Sequence, residues 1–366
     1  MNALTESPAD LQRIAIFRAL QLGDMLCSVP ALRALRRACP DAHIALVGLP
    51  WARNFVDRYT PLLDELIEFP GAIGFPEQAE TDEHLDAFCD AMRTRRLDLA
   101  IQLHGSGGVA NDIVERWGAR LNAGFVQPGE AEHAGVFIPW PERLPEAARY
   151  DALMRALGSE ASNLGLDIPL RASDLLECEA LIDAYEIDTS RLILVHAGAQ
   201  LPSRRWPIER FAHVAIALET DGWQITITGS PGEAALTTRL AAMLGDRAID
   251  LTGKTSLGAL AALVGRARLV VCNDTGVSHI AAATRSPSVV IASGSDTHRW
   301  APLDHALHLV LADYPPCRPC AFRECPYGHP CALAIGADKV IEAARAQLAR
   351  FNLHLHREPL GSAYGK

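Results

Sequence analysis

The feature that most constrains this chain is an alternation, run through twice, of short apolar stretches of strand length with longer helical patterns. The first run has strand-like stretches at 14–17 (IAIF), 43–47 (HIALV), 65–69 (ELIEF) and 97–103 (LDLAIQL). Between them, helical patterns open after Gly23-Asp24 and cover 51–59 and 84–94. The second run restarts at 192–196 (LILVH) and continues through 223–228, 248–251 and 269–272, with helices expected at 208–219, 233–244 and 257–264. Strands that are apolar throughout belong to sheets covered on both faces, and strands separated by helices pair in parallel. The pattern therefore predicts an α/β chain of two doubly wound, Rossmann-like domains facing across a cleft, with ligands gathered at the carboxyl ends of the strands. Residues 128–190 are less regular and rich in proline and glutamate, and they hold the crossing between domains. The boundaries are placed at 1–185 and 186–352, with 353–366 a loose tail.

With 49% apolar residues in 366, there is enough material for two cores. No membrane-spanning run appears, and the opening MNALTESPADLQR lacks the basic and apolar regions of a secretory signal. A cytoplasmic protein with reduced cysteines is expected. A formal charge of -10 argues against a nucleic-acid binder, which needs a broad basic face. Locally the balance reverses: residues 13–60 hold Arg13, Arg18, Arg33, Arg36, Arg37, Arg53 and Arg58 against Asp24, Asp41 and Asp57. Lysine occurs only at Lys254, Lys339 and Lys366, so a cationic phosphate clamp is expected to be arginine.

Four stretches follow strands and carry groups suited to a ligand. RLVVCNDTGVSHIAAA, from Arg268, turns at Asn273-Asp274 from strand to helix. There the amides of Thr275 and Gly276 can donate to a phosphate and Asp274 can accept from hydroxyls; the alternative is a plain helix cap. Asp24 opens a helix after Gly23, either as a base for an attacking hydroxyl or as a favourable partner of the helix dipole. HAGAQLPSRRWP brings Arg204 and Arg205, which either neutralise a diphosphate or sit solvated in a loop. In GSPGE, Glu233 either holds ribose hydroxyls or favours a helix N-terminus. His104 follows the fourth strand and should share a rim with Asp24, whereas His279 reads as buried structure. TGKTS, at 252–256, is not a P-loop because the first glycine of that motif would fall at Ala248 inside a strand; it reads as a turn and helix cap. No GxGxxG follows the first strand, which argues against a nicotinamide dehydrogenase.

Taken in order, RIAIFRALQLGDMLCSVPALRAL, HAGAQ with RRWP, GSPGE, LTGKTSLGALAAL and NDTGVSHIAAA resemble the successive motifs of glycosyltransferase family 9, the ADP-heptose:lipopolysaccharide heptosyltransferases. The resemblance implies a GT-B fold, with the donor held mostly by the second domain and the acceptor by the first. It also implies inverting transfer needing no metal, with Asp24 as general base. Carried over by motif, Arg204 or Arg205 stands at the diphosphate, Glu233 at the ribose, and Asp274, Thr275 and Gly276 at the donor turn. HAGAQ departs from the commoner HPGA pattern, and arginine replaces a frequent lysine. Another nucleotide sugar or a protein acceptor remains an alternative within the family. A two-lobed solute-binding protein is the alternative outside it, disfavoured by the lack of an export signal.

Arg33, Arg36 and Arg37 share one helix and Trp51 and Arg53 open the next, a face that would draw a phosphorylated, lipid-linked core oligosaccharide at the inner membrane surface; the alternative is a solvated helix. Arg18, Arg36, Arg37 and His104 are the expected acceptor contacts. Finally, Cys317, Cys320, Cys325 and Cys331 fall within fifteen residues at C-x2-C-x4-C-x5-C spacing. They suit a structural zinc or iron site, or serve as small buried groups or a disulfide.

Overall fold

The computed structural model describes Leu4 and residues 10–352 except residue 79. The tail expected at 353–366 lies outside the described residues. The chain divides into two compact units between Pro169 and Leu170.

In the first unit the strands are β1 (Arg13–Phe17), β2 (His43–Gly48), β3 (Glu65–Glu68), β4 (Leu99–Gln102), β5 (Leu121–Val126) and β6 (Val136–Pro139). The helices are α1 (Leu22–Ala38), α2 (Arg53–Arg58), α3 (Leu85–Thr94), α4 (Val109–Glu115) and α5 (Glu146–Ala156). The strands form one parallel sheet in the order β3-β2-β1-β4-β5-β6. Ile16 stands between Leu46 and Ile101 in the register, so each central strand is apolar on both faces and needs helices on both. One face packs Phe17, Phe69, Phe75 and Trp117 in edge-to-face contacts. Edge strand β6 is only partly buried and ends in Pro139. Its apolar run is only Val136 to Ile138, closed at once by Pro139, too short to stand out from the irregular stretch of the sequence.

The second unit repeats the plan. It holds α6 (Ala172–Ala184), β7 (Leu192–His196), α7 (Ile208–Thr220), β8 (Gln224–Ile227), α8 (Ala234–Leu244), β9 (Ala248–Asp250) and α9 (Leu257–Arg266). Then come β10 (Leu269–Asn273), α10 (Gly276–Ala283), β11 (Ser288–Ala292), α11 (Thr297–Trp300), β12 (His308–Ala312), α12 (Pro330–Leu333) and α13 (Ala337–Asn352). The sheet order is β12-β11-β10-β7-β8-β9, again all parallel. The division before α6 falls sixteen residues ahead of the expected boundary. Helix α6 belongs with the second unit because Glu177 accepts from the Ser256 amide at 2.8 Å and Glu179 pairs with Arg266 on α9, while Cys178 is fully buried. The TGKTS segment is a turn in which Lys254 donates to the Asp250 carbonyl and Ser256 caps α9.

In both sheets the connection from the first strand leaves toward one edge and the fourth strand lies on its other side. β1/β4 and β7/β10 are therefore the points where the winding reverses, and the loops after these four strands open at the carboxyl rim.

Candidate active site

At the first reversal point, Asp24 lies in the opening turn of α1. Its backbone is fixed by Arg18, whose Nε and Nη2 both donate to the Asp24 carbonyl, at 3.1 and 2.6 Å, while Nη1 donates to the Leu103 carbonyl. The guanidinium lies 4.5 Å from the Tyr150 ring centroid and 4.0 Å from Glu146. Arg18 is 0% exposed. It is therefore not available to an acceptor, contrary to the expectation; it ties the loop carrying Asp24 to the end of β4. His104 adds a second tie, its Nδ1 accepting from the Ala19 amide at 3.1 Å while the ring stacks on Phe17. With Nδ1 accepting, the proton of the neutral ring sits on Nε2.

The basic face of α1 is placed elsewhere. A helix that follows a parallel strand runs back along it, so Arg36, twelve residues after Asp24, lies about 18 Å further along the axis, away from the carboxyl rim. Arg36 donates to the Ala42 carbonyl and to Asp64, both at 2.6 Å, and Arg37 reaches Ser162 Oγ at 3.5 Å. Arg33 pairs with Asp167 at 3.0 Å. Arg33 and Arg36 fasten α1 to its own unit, Arg37 stays exposed, and this basic face stands away from the rim that carries Asp24.

At the second reversal point, Asn273 ends β10 wholly buried. Its Nδ2 donates to the Ala197 carbonyl at 2.8 Å, and its Oδ1 accepts from the Trp206 amide at 3.0 Å. It thereby fixes both ends of the segment bearing Arg204 and Arg205. Sequence reading used Asn273 only as a turn marker, although an asparagine closing an apolar run signals a buried polar bridge. Thr275 is the N-cap of α10, in a reciprocal capping box in which its own amide donates weakly to Ser278 Oγ at 3.4 Å, and the first amides within the helix, from Gly276, have no intrahelical acceptor.

Glu233 accepts from the Ser230 amide and hydroxyl with one oxygen, both at 2.8 Å. Its other oxygen lies against Gly198: a Cβ built there would stand 1.9 Å from Oε1. Glycine at 198 is thus what lets the carboxylate reach the rim. His196, buried and bonded to Thr228 Oγ1 at 3.1 Å, lies 3.9 Å behind it. Gly198→Ala should raise the donor KM by about tenfold or more, the scale of a lost charged hydrogen bond, with a smaller change in kcat. Adding Glu233→Asp, which withdraws the carboxylate by one methylene, should restore part of the loss. A Gly198→Ala enzyme with an unaltered donor KM contradicts this placement.

The two arginines differ. Arg205 donates Nε to the Ala199 carbonyl at 2.8 Å. Arg204 donates Nη2 to the Cys320 carbonyl at 2.7 Å, and its buried Nη1 has no partner among the described residues. Burial pushes the Arg204 guanidinium below its ordinary pKa, with Cys320 and Asp274 opposing that shift.

The cysteines do not come together: among the described residues no group of three or more His, Cys, Asp or Glu side chains could hold a metal ion. The metal expectation rested on the spacing of the four thiols and on the scarcity of apolar groups in this loop; hydrogen bonds to the β7 segment also order it. Ser203 Oγ donates to the Phe322 carbonyl at 2.6 Å, the Ser203 amide donates to Arg323 at 3.1 Å, and His329 Nε2 donates to the Ser203 carbonyl at 2.8 Å. The Cys320 amide adds a bond of 2.7 Å to Gly294. The loop is stitched to the β7 segment by these bonds, with Cys331 buried and the other three half-exposed.

Two buried histidines make folding sensitive to acid. Burial pushes His104 down to about 3 and His308 to about 4, from 6.5; Asp304 opposes the shift at His308, and His279 and His305 add to it. Both folded values lie below the unfolded one, so their stabilisation is complete above pH 6.5 and is lost as pH falls toward 4 and 3. Each contributes a slope of up to about 1.4 kcal/mol per pH unit in that window. The melting temperature should fall between pH 6.5 and 4, and less steeply in His104→Gln/His308→Gln; equal slopes would contradict the assignment.

The family model for glycosyltransferase family 9 (heptosyltransferase) matches residues 85–330. Lipopolysaccharide heptosyltransferase 2 of Salmonella typhimurium is 27% identical over 318 residues, covering 81% of this chain and 87% of the relative. Among solved structures, a family 9 glycosyl transferase from Veillonella parvula superposes with a TM-score of 0.75 at 23% identity, over 93% of this chain and 98% of that one. The structure titled E. coli ADP-heptose lps heptosyltransferase II gives 0.68 at 22%, over 93% and 99%. The two parallel six-stranded sheets agree with these neighbours and with the GT-B class. The family match, which runs through parts of both units and most of the chain, settles the family: this chain belongs to glycosyltransferase family 9 and is a glycosyltransferase.

Proposed function

We propose that this enzyme transfers a heptose from ADP-heptose to the inner core of lipopolysaccharide. The observation that carries the donor half is Arg204, a largely buried cation with an unpartnered Nη1, close enough to feel the Asp274 charge at the mouth of α10. A buried cation without a carboxylate partner is costly unless an anion completes it. The diphosphate of a nucleotide sugar supplies that anion. Thr275 and Gly276 add helix-terminal amides, Asp274 and Glu233 accept from sugar or ribose hydroxyls, and Arg205 flanks the site. Heptose and the core acceptor are supported by the names of the relatives.

The transfer is a single displacement. The Asp24 carboxylate takes the proton of the acceptor hydroxyl as that oxygen bonds to the anomeric carbon, whose bond to the diphosphate oxygen breaks with inversion, and ADP departs with the electron pair. Arg204 and the helix terminus oppose the charge growing on the leaving oxygen. No step needs a metal ion. The Nε2–H of His104 is a candidate donor to the acceptor sugar. The acceptor is lipid-linked, and the enzyme works in the cytoplasm as a peripheral protein at the membrane's inner face; among the described residues no helix is long and apolar enough to cross a membrane. A panel of nucleotide sugars tests the donor: ADP-heptose should bind and release ADP in the presence of acceptor, with UDP- and GDP-sugars inert. Turnover of a UDP-sugar in preference overturns the reading.

A further inference from the structure

The loop at residues 313–331 brings a second arginine, Arg318, near Arg204. Arg318 is 8% exposed and deeply anchored: Nε donates to the Ser295 carbonyl at 2.7 Å, Nη1 donates to the Asp313 carbonyl at 2.5 Å, and the guanidinium lies 4.2 Å from the Tyr314 ring centroid. Its remaining nitrogen, Nη2, is buried and has no partner. The Arg204 Nη1 is in the same condition, and so are the hydroxyls of Ser293 and Ser295, which flank Gly294 in the loop after β11.

These four orphaned groups share one neighbourhood. A Cβ at Gly294 would stand 3.4 Å from Arg204 Nη1 and 3.0 Å from the Cys320 Cβ, Arg204 holds the Cys320 carbonyl, and Arg318 holds the Ser295 carbonyl. Burial lowers the Arg204 pKa, and Arg318 pushes it the same way. Two guanidinium groups held this close, neither meeting a carboxylate among the described residues, repel each other unless an anion lies between them. Buried donors in native proteins are otherwise almost always satisfied.

We propose that Arg318 and Arg204 form a two-arginine clamp for the diphosphate of the nucleotide donor, completed by the hydroxyls of Ser293 and Ser295. The 313–331 loop is thus part of the binding site, and its cysteines act through the backbone: the Cys320 carbonyl orients Arg204. The inference rests on the donor reading above, and adds a residue and a loop outside the stretches by which the sequence resembles its family.

Calorimetric titration of the full chain with ADP, adenosine and inorganic pyrophosphate tests it. Arg318→Met should weaken ADP binding at least about twentyfold, the range for charge-assisted hydrogen bonds to phosphate, and leave adenosine binding unchanged, which also reports that the fold is intact. Arg318→Lys keeps the cation and much of the stem and should lose less, about fivefold. ADP affinity within twofold of wild type in Arg318→Met overturns the proposal. If that variant does not fold, unchanged ADP affinity in Arg318→Lys overturns it equally. Should the wild type ignore ADP yet bind pyrophosphate through Arg318, the clamp stands and the nucleotide reading falls. Binding of neither removes both.

Discussion

Asp24→Asn is expected to lower kcat by at least about a hundredfold, the cost of losing a general base, while donor affinity stays near that of the wild type. The substitution is nearly isosteric. The bonds that fix this turn run from Arg18 to the Asp24 carbonyl, so they survive the loss of the carboxylate. The groups assigned to the donor, Arg204, Arg205, Glu233, Asp274, Thr275 and Gly276, all belong to the second unit. An amide at position 24 can still accept a hydrogen bond from the acceptor hydroxyl but cannot take its proton. Steady-state turnover with parallel ADP titration separates the two effects. A variant that turns over normally removes Asp24 from the mechanism.

Arg204→Met should lower kcat/KM by about a hundred- to a thousandfold, the range for removing one preorganised donor from a developing charge. Methionine keeps much of the apolar stem, so the loop loses mainly the bond from Nη2 to the Cys320 carbonyl. Arg205→Met should have a much smaller effect, because the Arg205 Nε is committed to the Ala199 carbonyl. The reverse order of effects would assign the clamp to Arg205.

The strands at the reversal points were legible because β1, β7 and β10 are apolar runs that end abruptly in polar turns. Asp274 follows β10 directly, and Asp24 and Glu233 stand seven and six residues past the ends of β1 and β8, so order along the chain puts all three after strands. What the sequence hid are contacts made over long separations. Arg18 reads as one more cation in a basic stretch until Leu103, eighty-five residues on, is seen to accept from it. For Arg36 and Arg37, charge spacing along a helix gives a face, but the direction in which the helix runs decides which rim it reaches. Cysteine spacing likewise gives proximity along the chain and not the aim of the side chains. Ser203 and His329, more than a hundred residues apart, are bonded in a contact that spacing along the chain does not announce.

The most direct test of heptosyl transfer is mass spectrometry of a heptose-deficient core glycolipid incubated with the enzyme and ADP-heptose, with Asp24→Asn in parallel. The expected result is an acceptor heavier by one heptose residue in the wild-type reaction, matched mole for mole by released ADP and nearly absent with the variant. An acceptor of unchanged mass while ADP-heptose is turned over, or equal product from both enzymes, would contradict the account.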